Sequence, residues 1–191
     1  MKAVGNKRAL RALWAVLLLA LPFLAPLGAL WAAPGEVVRC STDSAGNEAT
    51  GGASNWSSIS ADGRYVAFQS SATDLVAGDT NGAMDVFRKD LATGAIVRCS
   101  TDSAGNEATG GSSYMGSLSA DGRFVVFPSN ATNLVPWDTN NALDVFRKDL
   151  ATGAIVRCST DASGNQAIGG NSSFPSTSGE GRYVAFDSDA A

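Results

Sequence analysis

Residues 60–68 read Ser60-Ala-Asp-Gly-Arg-Tyr-Val-Ala-Phe68, and the segment Asp85-Val-Phe-Arg-Lys-Asp-Leu-Ala-Thr-Gly94 follows shortly after. Both segments return further along the chain, at 119–127 and 144–153, and the first begins a third time at Ser178. Of the 59 positions of the first repeat, 45 are unchanged in the second. A repeat of this length indicates a solenoid, a propeller or another array in which each unit packs against its neighbours.

The apolar residues of one repeat recur with a period of two, which predicts strands. Val66 and Phe68 share one face while Tyr65 and Ala67 share the other, as in a strand that is covered on both sides. In the segment 85–91, an apolar residue and a basic residue share each face, which predicts a half-exposed strand. The predicted strands are 55–61, 64–69, 84–90 and 95–101 in the first unit, and 114–120, 123–128, 143–149 and 154–160 in the second.

Four antiparallel strands that recur at a fixed interval are the architecture of a β-propeller blade. Asp62-Gly63 predicts a hairpin between the first two strands, because both residues tolerate a positive φ. We therefore predict an all-β fold with two full blades, an isolated fourth strand at Val37–Thr42 and the first two strands of a third blade. The predicted repeat units are 38–96, 97–155 and, in part, 156–191.

The predicted strands do not close a ring, since propellers have roughly 4–8 blades. We expect the chain to be a fragment of a longer propeller, with a ring of several copies of the chain as the second choice.

The segment 1–33 differs from the rest of the chain in composition. Four basic residues precede an apolar run from about Leu13 to Ala33. They are Lys2, Lys7, Arg8 and Arg11. This pattern predicts a hydrophobic helix that serves as a secretory signal peptide, which Pro22 and Pro26 favour, or as a membrane anchor. In either case the repeats at 36–191 face an exported compartment, which is periplasmic, cell-surface or extracellular.

Charge and composition exclude several classes of function. Without the segment 1–33, ten basic residues face eighteen acidic ones, a net charge of about −8 that disfavours nucleic acid as a partner. The sequence contains no histidine, so it can form neither a Ser-His-Asp triad nor a histidine metal site. It contains no phosphate-binding Gly-Lys-Ser loop and no nucleophile elbow. We predict that the chain is not an enzyme.

The three cysteines, Cys40, Cys99 and Cys158, occupy the same position in successive repeats. Equivalent positions of an array lie well apart, whereas a disulfide needs Cα atoms within about 7 Å of each other. We predict that each cysteine is a small buried hydrophobic residue rather than half of a disulfide.

The loop before the third strand is the candidate metal site. Three of its residues have side-chain oxygens at relative positions 1, 3 and 7, and both full repeats keep them. They are Asp79, Asn81 and Asp85, and in the second repeat Asp138, Asn140 and Asp144. The spacing is similar to that of a Ca²⁺-binding loop, but position 5 is alanine and no glutamate follows at position 12. Two interpretations stay open: a Ca²⁺ site, or side chains that bond to the backbone of the loop.

A few large side chains vary where the rest of the repeat does not. They are Trp56, Tyr114, Met115, Trp137 and Phe174. Aromatic residues at strand starts usually pack between blades, but lectin propellers use such residues to stack sugars. The sequence is compatible with either role.

The motif Ser-Ala-Asp-Gly-Arg-Tyr-Val-Ala-Phe, followed by Asp-Val-Phe-Arg-Lys-Asp-Leu-Ala-Thr-Gly, resembles the WD-repeat-like blades of TolB-type β-propellers over about residues 36–191. The resemblance implies that the Ser-x-Asp-Gly turn joins the innermost strand to the second, and that Asp-Leu-x-Thr-Gly joins the third to the fourth. The third copy departs from this pattern, because it reads Ser178-Gly-Glu180-Gly181.

The same resemblance implies a non-catalytic module that binds a protein partner in the cell envelope or outside the cell. One alternative is a Ca²⁺-dependent or carbohydrate-binding adhesion module. The other is the non-catalytic propeller of a larger hydrolase. Because such blades occur in proteins of many functions, the resemblance alone does not choose among the three.

Overall fold

The computed structural model describes residues 37–190, and every regular element in this range is a β-strand. The strands are β1 (Ser54–Ile59), β2 (Tyr65–Ser70), β3 (Asp85–Asp90), β4 (Ile96–Arg98), β5 (Ser117–Leu118), β6 (Phe124–Ser129), β7 (Asp144–Asp149), β8 (Ile155–Arg157), β9 (Ser172–Thr177) and β10 (Val184–Ser188). They form a four-stranded antiparallel sheet in the order β1-β2-β3-β4, a second in the order β5-β6-β7-β8, and a two-stranded sheet of β9 and β10. The predicted unit of four antiparallel strands is confirmed in both full repeats.

The predicted hydrophobic helix at 1–33 lies outside the described residues. Between 37 and 190, no helix is long and apolar enough to cross a membrane.

Two strand predictions are wrong in detail. Val37–Thr42 does not form a strand, and its one bridge, between Thr42 and Glu48, is a connector contact that recurs after β4 and β8. Its counterparts β4 and β8 each pair with a third strand, and no described strand runs beside 37–42. The strand predicted at 114–120 is reduced to Ser117–Leu118. Pro128 of β6 lies opposite its start and has no N–H to donate to the ladder.

The turn between the first two strands of each unit depends on glycine. Gly63 has a φ of 72°, whereas Asp62 keeps a negative φ and accepts hydrogen bonds at Oδ1 from Ser60 Oγ (2.5 Å) and Arg64 N (3.0 Å). In the third unit Gly181 has a φ of 71°, and β9 and β10 pair although Glu180 replaces the aspartate. The glycine therefore determines the hairpin, and the residue before it is replaceable.

The prediction that β3 is half-exposed is also wrong. Val86 and Phe87 are fully buried, and Lys89 is buried with them. Val86 faces the second unit. The connector before β1 covers the opposite face, which carries Phe87 and Lys89, and Lys89 Nζ donates to the carbonyl oxygens of Thr42 (3.1 Å) and Asp43 (2.7 Å). The ammonium group is thus buried because backbone oxygens replace its water.

The buried apolar residues form two clusters. One joins β2, β3 and β4 of the first sheet to the connector before β1, and the other lies between the first and second units. Ala67 and Cys99 of the first unit pack in one cluster with Val125, Phe127 and Phe146 of the second. Cys99 is a free thiol, as predicted, and burial raises its pKa to about 12. Cys40 and Cys158 are half-buried and also free.

A ring-on-glycine contact joins each unit to the next. The ring of Tyr65 lies on Gly122, where a Cβ would be 2.2 Å from the ring atom Cδ2. Arg88 stacks on the same ring at 4.5 Å from its centroid, and its NH1 donates to the carbonyl oxygen of Gly122 (2.7 Å). Phe124, Gly181 and Arg147 repeat this contact between the second and third units.

We predict that Gly122→Ala lowers the free energy of unfolding by about 2–5 kcal/mol, from the positive φ and from the overlap with Tyr65. Gly105→Ala is the matched control, because Gly105 has a φ of 88° and its Cβ would meet nothing within 4 Å. We expect the control to lose only about 1–2 kcal/mol. Urea unfolding of both variants measures the difference, and equal losses would mean that the ring-on-glycine contact contributes no packing energy.

Candidate functional site

The first strands of the three units lie side by side. β1 contacts β5, and β5 contacts β9. Backbone donors in β5 and just before it reach side chains of the first unit: Leu118 N donates to Ser58 Oγ (3.2 Å), and Met115 N donates to Gln69 Oε1 (2.9 Å). We call the surface formed by β1, β5 and β9 the inner-strand surface.

Two large aromatic residues on this surface have a strained backbone. Trp56 has a φ of 51° and Phe174 a φ of 49°. Each is the first residue of a β-bulge, because the pairing with the second strand shifts directly after Asn55 in β1 and after Ser173 in β9. This bulge position is normally glycine, since a positive φ is unfavourable for a bulky side chain.

Both rings point into one cavity of about 270 Å³ on the inner-strand surface. Its lining is apolar or neutral and comes from all three units. The lining residues are Trp56, Gln69, Tyr114, Met115, Pro128, Leu143, Ser173 and Phe174. We call this the aromatic cavity. It contains no charged side chain, and the side-chain oxygen of Gln69 already accepts a bond from Met115 N.

The structure separates the five variable side chains that the sequence singled out. Tyr114 is 40% exposed and lines the aromatic cavity. Met115 packs against the core between units, as the packing interpretation predicts. Trp56 and Phe174 are 71% and 77% exposed at the aromatic cavity. The prediction that they pack between blades is therefore wrong. Trp137 is 88% exposed, has a φ of 62° and lies on the β6–β7 loop away from the cavity. Sequence reasoning missed the two bulges, because each has an aromatic residue where a bulge favours glycine and no residue pattern marks it.

The predicted metal-site residues form an arginine clamp instead of an open loop. Arg98 NH1 lies 3.2 Å from Asp79 Oδ1, 3.5 Å from Asp85 Oδ2 and 2.8 Å from Glu107 Oε2. The Arg98 side chain is 9% exposed, and Asp79 and Asp85 are buried more deeply. Burial raises the pKa of Asp79 above its ordinary value; Arg98 opposes that shift and Asp85 adds to it. The clamp connects the β2–β3 loop, β4 and the connector to the next unit.

The second unit repeats the clamp with one change. Arg157 lies 3.8 Å from Asp138 and 3.6 Å from Asp144, and its NH1 donates to Gln166 Oε1 (2.7 Å). Gln166 stands where the first clamp has Glu107, so the second clamp carries one negative charge fewer.

The asparagine side chains of both clamps form hydrogen bonds to the backbone, as the alternative to a Ca²⁺ site predicts. Asn81 Oδ1 accepts from Ala83 N (2.8 Å), and its Nδ2 donates to Asp85 Oδ2 (2.8 Å) and to the carbonyl oxygen of Ala108 (2.9 Å). Asn140 makes the equivalent bonds in the second unit. Between residues 37 and 190, no group of three or more acidic or cysteine side chains has a geometry that could hold a metal ion. Calcium binding at Asp79, Asn81, Asp85, Asp138, Asn140 and Asp144 stays a prediction.

No protein-family model and no curated protein sequence matches the chain. Its fold is similar to that of two solved structures of TolB. A protein assigned as TolB from Agrobacterium tumefaciens is 20% identical, with a TM-score of 0.45 over 73% of this chain and 39% of that one. TolB from Acinetobacter baumannii is 22% identical, with a TM-score of 0.38 over 68% of this chain and 25% of that one. The chain thus covers less than half the length of either protein, and the likeness concerns the fold alone.

We predict that Arg98→Met lowers the free energy of unfolding by about 3–5 kcal/mol, because it leaves three carboxylates without their buried partner. The loss should be smaller near pH 4 than near pH 7, since an ionised carboxyl with a raised pKa, such as Asp79, destabilises the fold and protonation removes that cost. Arg39→Met is the control: Arg39 occupies the same repeat position, but its pair with Glu48 is exposed and contributes less than about 1 kcal/mol. Urea unfolding at both pH values measures the losses, and equal losses for the two variants would contradict the clamp.

The Arg98→Met variant also tests the calcium prediction. The guanidinium stands among the oxygens that would have to coordinate the ion, so millimolar Ca²⁺ should raise the melting temperature of the variant more than that of the unaltered chain. Calorimetric titration of the unaltered chain is the second measurement. Saturable heat there would mean that Ca²⁺ displaces or bypasses Arg98, and the clamp interpretation would be wrong.

Proposed function

We propose that the chain is a non-catalytic β-propeller module that is exported and binds a protein partner at the aromatic cavity of its inner-strand surface. The observation that carries the proposal is the combination of exposure and strain at Trp56 and Phe174. Backbone strain of this kind costs about 1–3 kcal/mol per residue and concentrates at functional sites.

Neither ring recovers this cost by burial within the described residues, since about three quarters of each side chain is exposed. Glycine at either position would fit the bulge without strain. A large ring at this position projects from the sheet, where a partner can cover it. Trp and Tyr are the residues most often found at the energetic centre of protein interfaces, and Met adapts its shape to a partner.

The chemistry of the aromatic cavity favours an apolar protein side chain over a sugar. A bound sugar needs several convergent hydrogen-bonding groups besides an aromatic face. The polar side chains in the lining are those of Gln69, Ser173 and the Tyr114 hydroxyl, and Gln69 is already engaged by Met115 N. An aliphatic or aromatic side chain of a partner matches the volume and the neutrality of the cavity.

Charge and compartment support the same proposal. The net charge of about −8 outside the segment 1–33 steers basic partners toward the module and repels polyanions. The basic residues and the apolar run of that segment support export. The acidic residues of the β2–β3 and β6–β7 loops hold Arg98 and Arg157, which is a structural task rather than a catalytic one.

We predict that replacing Trp56 and Phe174 together by glycine weakens partner binding without destabilising the fold. A phage-displayed random peptide library, selected on the unaltered chain, supplies the probes. Peptides selected in this way should bind the double variant at least about tenfold more weakly, because the interface loses its central rings. The free energy of unfolding should stay the same or rise by about 1 kcal/mol, since glycine relieves the strain.

Trp137→Gly is the matched control, because it also removes an exposed tryptophan at positive φ but lies away from the aromatic cavity. It should keep full peptide binding. A glycan array probed with the same three proteins tests the carbohydrate alternative. Glycan binding that requires Trp56 and Phe174, or selected peptides that bind the double variant as well as the unaltered chain, would overturn the proposal.

A further inference from the structure

The β6–β7 loop contains a turn that carries an exposed tryptophan. Pro136 and Trp137 are the two central residues of this turn, and Trp137 has a φ of 62°. A positive φ at the second central residue is the geometry of a type II turn, which favours glycine there and proline before it. The first unit has Ala77 and Gly78 at these two positions, and Gly78 has a φ of 75°. The second unit thus keeps the positive φ but places a large ring where glycine is the unstrained choice.

Trp137 lines a cleft of about 540 Å³ at the β8 edge of the second sheet. The other lining residues come from the same loop, from β8 and from the connector after it, among them Val156, Arg157, Asn165 and Gln166. A volume of this size is within the range of small-molecule sites, which is about 300–1,000 Å³. We call this site the tryptophan cleft.

The surface that forms the cleft is exposed in both full units. In the first unit Val97, the counterpart of Val156, is 38% exposed, and Gly78 and Asn106 are exposed as well. The second unit, which follows it, has all four strands, so a following unit does not cover this surface. Gly78 has no side chain to form the wall that Trp137 supplies.

The differences between the two units at this surface concern the ring and one charge. Six of the nine lining residues are the same in the first unit, and the three that differ are the two turn residues and Gln166, which replaces Glu107. Glu107 accepts from Arg98 NH1 (2.8 Å), and Gln166 accepts from Arg157 NH1 (2.7 Å). The replacement therefore removes a negative charge from the lining and keeps the hydrogen bond.

Arg157 has a donor group that its counterpart in the first unit uses and that the second unit leaves unused. Arg98 NH2 donates to the carbonyl oxygen of Gly78 (3.0 Å). Arg157 NH2 makes no hydrogen bond to any residue between 37 and 190, and its ion pair with Asp138 spans 3.8 Å. The Arg157 side chain lines the cleft and is only 8% exposed. Because an unsatisfied buried donor is costly, an oxygen of a ligand in the cleft would stabilise it.

Asn165 supplies an acceptor in the same cleft. Its Nδ2 donates to Asp161 Oδ2 (2.9 Å), whereas its Oδ1 accepts no hydrogen bond from the residues that the structure describes. The side chain is exposed where it lines the cleft. A donor and an acceptor beside an aromatic ring suit a ligand rich in hydroxyl groups, because each hydroxyl can both donate and accept.

A pyranose ring matches this set of groups. Its C–H face is apolar and packs on the electron-rich face of an indole, while its hydroxyl groups reach the polar side chains around it. Arg157 is outnumbered by Asp138 and Asp144, so the site keeps a net negative charge that disfavours an acidic sugar. An apolar protein side chain would leave Arg157 NH2 and Asn165 Oδ1 without partners.

We propose that the tryptophan cleft of the second unit binds a neutral hexose unit of a glycan. Trp137 stacks on the face of the sugar, Arg157 NH2 donates to a hydroxyl oxygen, and Asn165 Oδ1 accepts from a hydroxyl. The cleft shares no lining residue with the aromatic cavity, so the inference goes beyond the proposed function.

The test is calorimetric titration of the whole chain with neutral oligosaccharides of glucose, mannose and galactose. We expect saturable binding of at least one of them. Trp137→Gly should weaken this binding at least about tenfold, because the stacking face is lost. The midpoint of urea unfolding should not fall, since glycine fits the positive φ. Absence of saturable binding to all three sugars, or equal binding by the variant, would overturn the inference.

A pair of variants separates the cleft from the connector loop. Asn165→Ala and Asn106→Ala remove the same bond within the connector, to Asp161 and to Asp102, but only Asn165 lines the tryptophan cleft. Asn165→Ala should weaken sugar binding about fivefold, as expected for the loss of one hydrogen bond. Asn106→Ala should leave it unchanged. Equal binding by the two variants would overturn the placement of the sugar.

Three further measurements distinguish the tryptophan cleft from other sites and ligands. The Trp56 and Phe174 double variant should bind the oligosaccharide as the unaltered chain does, so failure of this inference and failure of the proposed function are distinguishable. Loss of sugar binding in that variant would place the sugar in the aromatic cavity and overturn the inference. Tighter binding of acidic than of neutral oligosaccharides would overturn it as well. Selected peptides that no longer bind Trp137→Gly would assign the cleft to a protein partner instead.

Discussion

The contact between an aromatic ring and a glycine of the following unit is the constraint on which the arrangement of sheets depends. Tyr65 and Phe124 lie so close to Gly122 and Gly181 that any side chain at the glycines would overlap the rings. The same glycines have a positive φ, which the tight turn requires. Each glycine therefore serves both the turn of its own unit and the contact with the ring of the preceding unit. This explains why the third copy keeps Gly181 although Glu180 replaces the aspartate before it.

The strained residues lie on a different part of the sheet from this constraint. The second and third strands of each full unit are largely buried on both faces, as the fully buried Val86, Phe87, Val125 and Phe127 show. Trp56 has its unfavourable backbone conformation on β1, a mostly exposed strand that pairs with β2 along one edge. The buried clamps at Arg98 and Arg157 add rigidity at the start of β3 and β7. β1 is thus a strained, exposed strand beside a buried second strand.

The all-β fold, the four-strand unit and most strand positions were predictable from the sequence, because period-two patterns and glycine turns are local signals. The burial of Lys89 was not predictable in this way, since it depends on the carbonyl oxygens of a connector that precedes β1 in the chain. The candidate site was predictable in part. The sequence pattern grouped Asp79, Asn81 and Asp85 correctly, but Arg98 and Glu107 join them only through the fold. The exposure of Trp56 depends on a bulge, and no residue pattern in the strand marks it.

β3 and β7 have the identical sequence Asp-Val-Phe-Arg-Lys-Asp, so the folding chain must choose between two equivalent partners for each second strand. For β2, pairing with the correct partner closes the loop 71–84, and pairing with the wrong one closes the much longer loop 71–143. Loop-closure entropy separates these choices by only about 1.5 kcal/mol, which is a preference of roughly tenfold. Strand exchange between repeats is therefore a kinetic trap inherent in the near-identity of the units. Escape from it requires the mispaired strand to dissociate, which slows refolding and leaves unpaired edges exposed to aggregation in the meantime.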